Sequence, residues 1–224
     1  MESFGIEVTG VRRRRRKGGG PFLAGAAVHL NFVSQKYYWN GAAKTSADFA
    51  GFTGGTFDGG LVLNGVAASF DYSITLASLN ISFPCAMFAV FTPQSVTGNQ
   101  WVATLDLDVN NAACVGLSGT TRLAFVVIAG ATQAFVGSNT AVIGTRVAIG
   151  GNFETNNVLS SINGVTGGTA DTSVTLPAAT GLHVGDRLTD AGPLTGTIHH
   201  VVIFSGAKTQ TELNDLTARV ASLS

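Results

Sequence analysis

Residues 158–216 read "VLSSINGVTGGTADTSVTLPAATGLHVGDRLTDAGPLTGTIHHVVIFSGAKTQTELNDL", and this stretch decides the fold. A strand-like run reaches the pair Asn163-Gly164. Both residue types tolerate positive φ, so the pair predicts a type I′ hairpin turn. A glycine-rich surface segment follows, then a final strand over residues 196–204. Thr209 and Glu212 are spaced as a capping box, whose side chains satisfy orphan amides at a helix start. Leu213, Leu216, Val220 and Leu223 then recur at spacings of three and four. Such a stripe lays a short closing helix on a sheet edge or a neighbour.

Working towards the N-terminus, residues 101–109 alternate Leu105, Leu107 and Val109 against Asp106 and Asp108. Period two predicts a strand with the leucines buried and the aspartates wet. "CAMFAVF" (85–91) and "LAFVVIA" (123–129) are nearly continuous apolar runs, as central strands of packed sheets require. Turn signals recur at Gly98-Asn99, Gly119, Gly130, Gly144, Gly150-Gly151 and Asn163-Gly164, a spacing that suits a sandwich or jelly roll.

The order turn, glycine-rich segment, strand, capped helix resembles the closing segment of laminin-G-like, concanavalin A-like jelly-roll domains, above all those of tailed-phage virion structural proteins. A second likeness lies in "AAVHLNFVSQKYYWNGAAKTSADFAGF" (26–52), through Asn31-Phe32, Tyr38-Trp39-Asn40-Gly41, Ser46 and Phe49. The middle of the chain agrees by pattern alone. The resemblance implies an all-β jelly-roll sandwich with a short C-terminal helix. It points to a surface or assembly role and away from chemistry on a small molecule.

Composition agrees. Charged residues make up 12% of the chain, against about 25% in ordinary soluble domains, and 29 glycines take part of their place. Thirteen basic and thirteen acidic residues cancel, but Arg12, Arg13, Arg14, Arg15, Arg16 and Lys17 hold six of the basic ones. Glu2 and Glu7 precede them or sit beside them, so seven basic residues face eleven acidic ones from Gly18 onward. The basic arm is therefore a separate piece from a mildly acidic body. Its arginines keep their charge and bind carboxylates through two parallel hydrogen bonds, while Gly18, Gly19 and Gly20 let the chain turn. The expected organisation is an extended anchoring arm, residues 1–25, and one sandwich, residues 26–224. Residues 26–80 would supply leading strands and residues 81–224 the main body.

Several classes are disfavoured. The apolar stretch after the arm is broken by Pro21, Gly25, His29 and Asn31, a poor core for an export signal. The longest apolar run, residues 123–136, is interrupted by Gly130, Thr132 and Gln133, short of a membrane span. Cys85 and Cys114 sit in apolar runs and read as buried free thiols; a single cross-strand pairing is the alternative. No CxxC, HExxH or Cys/His cluster suggests zinc.

Glycosidase chemistry needs two carboxylates flanking the bond. The nearest approach is Asp106-Leu107-Asp108, without a glutamate; Glu154 reads as a loop residue and Glu212 as a cap. No G-x-S-x-G nucleophile elbow is present. His199 and His200 are adjacent on a strand and should point to opposite faces, one buried with a partner and one exposed. Asp106, Asp108, Asn110 and Asn111 gather the best oxygen donors for Ca²⁺, although a solvated strand end explains them too. Tyr37, Tyr38, Trp39 and Trp101, helped by Asn99 and Gln100, are the candidate glycan-binding residues; large aromatics otherwise pack in cores.

The expectation is a non-enzymatic virion structural protein of a tailed phage or phage-like particle, without a cofactor. Its arm would dock on other virion proteins, and its jelly roll would project outward from a symmetric homo-oligomer. Nucleic acid and membrane are not expected partners. The alternative is an attachment module for host-surface polysaccharide, and a glycan-degrading enzyme is the weaker one.

Overall fold

The structure, a computed structural model, describes residues 23–49, 54–66, 72–108, 110–119, 122–187 and 192–224. The expected anchoring residues Arg12, Arg13, Arg14, Arg15, Arg16 and Lys17 lie outside the described residues.

The strands run β1 (Val28–Asn31), β2 (Lys36–Trp39), β3 (Ala42–Lys44), β4 (Thr56–Phe57), β5 (Leu61–Asn64), β6 (Tyr72–Thr75), β7 (Cys85–Pro93) and β8 (Gln100–Asp108). They continue β9 (Asn111–Ser118), β10 (Arg122–Ala129), β11 (Ala131–Thr140), β12 (Val147–Phe153), β13 (Leu159–Ile162), β14 (Val165–Thr166), β15 (Gly181–Val184) and β16 (Thr195–Ser205). Two helices, α1 (Leu76–Leu79) and α2 (Gln210–Ala221), complete the order.

These strands make a sandwich of two antiparallel sheets. The larger runs β14-β13-β12-β7-β16-β1-β2-β3, with β5 also joined to β16 and β4 to β5; the smaller runs β11-β10-β9-β8-β15-β6. The axis of the larger sheet is β16. One flank pairs with β7 along its length, and the other is shared between β5 (Ile198↔Leu61) and β1 (Ile203↔Val28). The leading strands are thus part of both sheets: β1, β2, β3 and β5 lie in the larger and β6 in the smaller. The sandwich therefore starts at β1, ahead of residue 81.

The core between the sheets takes alternate residues from each strand. Leu30, Met87, Phe91, Ile149, Ile198 and Val201 face Leu105, Val115, Phe125, Val127 and Leu182 in one buried cluster. The outward residues of the larger sheet, Ala86, Phe88, Val90, Ala148, Val202 and Phe204, form a second cluster under Leu213, Leu216 and Val220 of α2. The expected stripe is therefore correct, but it lies across a sheet face, over β7, β12 and β13, where it covers more apolar area than an edge would. The capping box is formed: Thr209 Oγ1 accepts from the Glu212 amide, and the Thr209 amide donates to Glu212 Oε2 at 2.8 Å. Asn163 and Gly164 take φ of 49° and 89°, and the turn sits on α2, with Ala218 beside Gly164.

Two readings of the sequence are corrected. Gly150-Gly151 is no turn but the middle of β12. A Cβ on Gly150 would lie 1.9 Å from the Phe88 ring and one on Gly151 2.2 Å from the Leu159 carbonyl, so packing explains the pair. In β8 the alternation fails at its end. A register shift between Asp106 and Asp108 leaves Leu107 40% exposed, and Asp106, on the outer face as the alternation requires, is buried there at 1% exposure beside His183 rather than wet.

Candidate functional site

The expected glycan platform divides along the pleat of β2. Tyr37 and Trp39 point into the core, 1% and 3% exposed, and each meets Phe49 edge-on at 4.9 and 5.5 Å. Burial pushes the Tyr37 hydroxyl up to about 12. Trp101 is buried as well, on the outer face of the smaller sheet, where Gly192 closes over it. Its amide donates to the Gly192 carbonyl at 2.8 Å. Those three side chains are structural, because large rings are cheapest out of water. Tyr38, between Tyr37 and Trp39 and on the other side of the strand, is the one that remains part-exposed.

Tyr38 lines a cavity of about 190 Å³ at one end of the sandwich. The β2–β3 turn contributes Asn40 and Gly41, both at positive φ, 51° and 73°. The end of α1 contributes Leu79 and Asn80, where Asn80 adopts the left-handed conformation that stops the helix. Ser205, at the end of β16, and Ala26 with Ala27, just before β1, complete the wall. No lining residue carries a charge. An aromatic ring, two amides and a hydroxyl can hold a ligand that has an apolar face and several hydroxyls. A cavity of about 150 Å³ holds benzene, so this one suits a single sugar-sized ring.

The second candidate region is the outer face of the smaller sheet. Cross-strand pairing puts Ser73, His183, Thr104 and Cys114 in one row, with Asp106 beside it. His183 Nε2 lies 3.3 Å from Asp106 Oδ1. The loop after β15 crosses this row: the Thr104 hydroxyl donates to the Asp186 carbonyl, and Arg187 stands near the Cys114 thiol. Thr104, Asp106 and Cys114 are fully or almost fully buried, so the row is a packed polar layer. Cys85, facing the core, and Cys114, facing away from it, are both free, and burial pushes both thiols up to about 12.

The expected Ca²⁺ donors separate. Asp106 turns towards His183, whereas Asp108 accepts from the Asn110 amide at 2.7 Å and the Asn111 side chain at 3.1 Å. Asp108, Asn110 and Asn111 thus close a turn, and Asp106 is not part of it. Among the described residues no group of three or more His, Cys, Asp and Glu could hold a metal ion. Glu154 binds Asn157 within its turn, and Glu212 serves the cap.

At residues 198–200 a bulge in β16 breaks strict alternation. His199 is half-buried, with Nδ1 donating to the Gly59 carbonyl at 2.9 Å and Nε2 accepting from the Thr92 hydroxyl. His200 is fully buried and meets His29 at 3.2 Å. The expected contrast between the two histidines is present in part: His200 is buried with a partner, but His199 is half-buried with partners of its own and is not exposed. Strict alternation between them is interrupted by the bulge, which leaves His199 without a register partner on β7.

Sequence reasoning missed Asn80, Ser205 and His29. Asn40 was visible in the Tyr38–Gly41 motif, but Asn80 and Ser205 reach the cavity only through the fold.

No protein-family model matches the chain, and no curated protein matches it. Solved structures do. Domain 4 of AbnA, a GH43 extracellular arabinanase from Geobacillus stearothermophilus, in complex with arabinotriose, is similar at TM-score 0.64 and 17% identity, over 86% of this chain and 98% of that one. The Ruminococcus gnavus IT-sialidase CBM40 bound to α2,6 sialyllactose is similar at TM-score 0.54 and 12% identity, over 68% of this chain and 95% of that one. Trypanosoma rangeli sialidase in complex with sialic acid is similar at TM-score 0.60 and 13% identity, over 90% of this chain and 34% of that one, so the match spans about a third of the sialidase. At these identities the likeness is one of architecture, and it agrees with the two-sheet sandwich.

Proposed function

We propose that this chain is a non-enzymatic recognition module that takes one neutral sugar residue of a surface polysaccharide into the cavity beside Tyr38. The observation that carries this reading is the uncharged cavity itself, sized for one ring and lined by Tyr38, Asn40, Asn80 and Ser205. Two similar structures, domain 4 of the arabinanase and the sialidase module, hold oligosaccharides on the same architecture, which supports the reading without supplying a site. Catalysis is disfavoured because Asp108, Glu154 and Glu212 each serve a local turn or cap. A glycan array probed with the full chain tests it. Retention that falls at least tenfold in Tyr38→Ala and in Asn80→Ala is expected, and retention unchanged in both overturns the proposal.

The carrier we propose is a tailed-phage or phage-like particle, with residues 12–17 docking on an acidic neighbour and the sandwich displayed outward. What supports this second part is the sequence alone: the order of turn, strand and capped helix that resembles virion jelly rolls, and the run Arg12 to Lys17. Removal of residues 12–17 should leave a folded protein that no longer joins particles. Incorporation of the shortened chain at the normal level would sink it.

A further inference from the structure

The histidine pair joins the start of the sandwich to its longest strand. His29 of β1 and His200 of β16 are both fully buried, with His29 Nε2 and His200 Nδ1 3.2 Å apart. The Leu23 amide lies 2.8 Å from His29 Nδ1. An amide can only donate, so His29 Nδ1 accepts and its proton sits on Nε2. That proton is donated to His200 Nδ1, and His200 carries its own on Nε2, which has no hydrogen-bond partner among the described residues. The relay therefore runs in one direction, from Leu23 through His29 to His200.

Its geometry leaves no place for a further proton. His29 can gain one only at Nδ1, where the Leu23 amide donates. His200 can gain one only at Nδ1, where His29 donates. We propose that the His29–His200 pair is an acid-sensitive latch on residues 23–27, in which each proton gained breaks one bond of the relay and releases the turn that leads into β1. That turn is otherwise held by Ala26 N–H to the Leu23 carbonyl at 3.2 Å, by Ala27 N–H to the Ile203 carbonyl at 2.9 Å, and by the partly buried Leu23 and Ala26 against the cluster under α2.

The surroundings oppose a cation on either ring. Burial lowers His29 to about 4, and burial, then His29, Arg146 and His199, lower His200 to about 3. Arg146 enters β12 and His199 belongs to β16, and no carboxylate among the described residues offsets them. Both histidines thus hold a proton less tightly closed than open. The closed form is fully favoured above the ordinary histidine range near 6.5 and loses ground as pH falls below it. Between there and about pH 4, opening gains about tenfold per histidine per pH unit.

Ala26 and Ala27 also wall the cavity beside Tyr38. Under the reading above, capture there weakens along the same pH profile; the latch itself does not depend on that reading. Amide hydrogen exchange on the full chain, without any sugar, tests it as protection relative to the unstructured rate at each pH. Between pH 7 and pH 5, protection at Leu23 and Ala26 should fall at least tenfold, while amides at Met87 and Val201 hold. His29→Gln and His200→Gln should flatten the dependence. Constant protection at Leu23 and Ala26 in the unaltered protein overturns the latch. So does an equal fall in both variants, and so does titration of His29, followed by NMR, with no accompanying change in exchange.

Discussion

The two outward faces of the sandwich are sealed by different means. On the larger sheet the seal is apolar: Leu213, Leu216 and Val220 of α2 rest on Phe88, Val90 and Val202. On the smaller sheet it is mixed: an apolar cluster of Trp101, Ala112, Ala124 and Val126 adjoins a polar row in which Thr104, Asp106 and His183 lie under the loop that carries Asp186 and Arg187. The first arrangement depends on area removed from water and tolerates no cavity. The second depends also on partners, because each buried polar group costs free energy once its partner is gone. The same molecule is therefore sensitive to lost methyl groups on one side and to lost hydrogen bonds as well on the other.

The sharpest way to break this contrast is at α2. Leu213→Ala should lower stability by about 2–5 kcal/mol, read as the denaturant midpoint, because Leu213 is fully buried against the sheet. A loss below 1 kcal/mol would mean that the helix is an ornament. Asp106→Asn, on the other face, should cost about 1–3 kcal/mol, since it weakens a contact to His183 in a buried row. Thr209→Ala removes the α2 cap and should cost about 1 kcal/mol, measured in the same denaturation series. Tyr38→Ala should shift stability by no more than about 0.5 kcal/mol while abolishing sugar retention, the combination that separates a binding residue from a packing one. Acid sharpens the contrast further. The depressed histidines on the larger-sheet side add stability above the ordinary histidine range, and that contribution is lost as pH falls towards about 4.

Legibility followed the distance over which each feature is made. The α2 cap, its apolar stripe and the Asn163-Gly164 turn are local, and all three read correctly from spacing. β7 also read correctly as a central strand, because it is apolar on both faces: Met87 faces the other sheet and Phe88 faces α2. Where two segments must meet, spacing was silent or misleading. Gly150-Gly151 has the composition of a turn and the job of admitting two aromatic rings. Asp106 takes the outward face its alternation predicts, yet it is buried there beside His183 of a strand distant in sequence. The candidate site was half legible: Tyr38 and Asn40 belong to one motif, but period two alone could not say which of Tyr37, Tyr38 and Trp39 faces solvent. The relay from Leu23 to His200 joins rings 171 residues apart, and no local pattern foretells it.

β16 has a consequence for how the chain comes to be folded at all. It supplies a hydrogen-bonding edge to β7, β5 and β1, yet it is the last strand in the order. During synthesis β1, β2 and β3 can form only a narrow ribbon, waiting with an open edge until nearly the whole chain has emerged. Closure of the larger sheet is thus a late, long-range event. A ribosome that stalls between β15 and β16 leaves the larger sheet in separate pieces with bare edges at β7, β5 and β1, the state in which such chains are most prone to stick to one another.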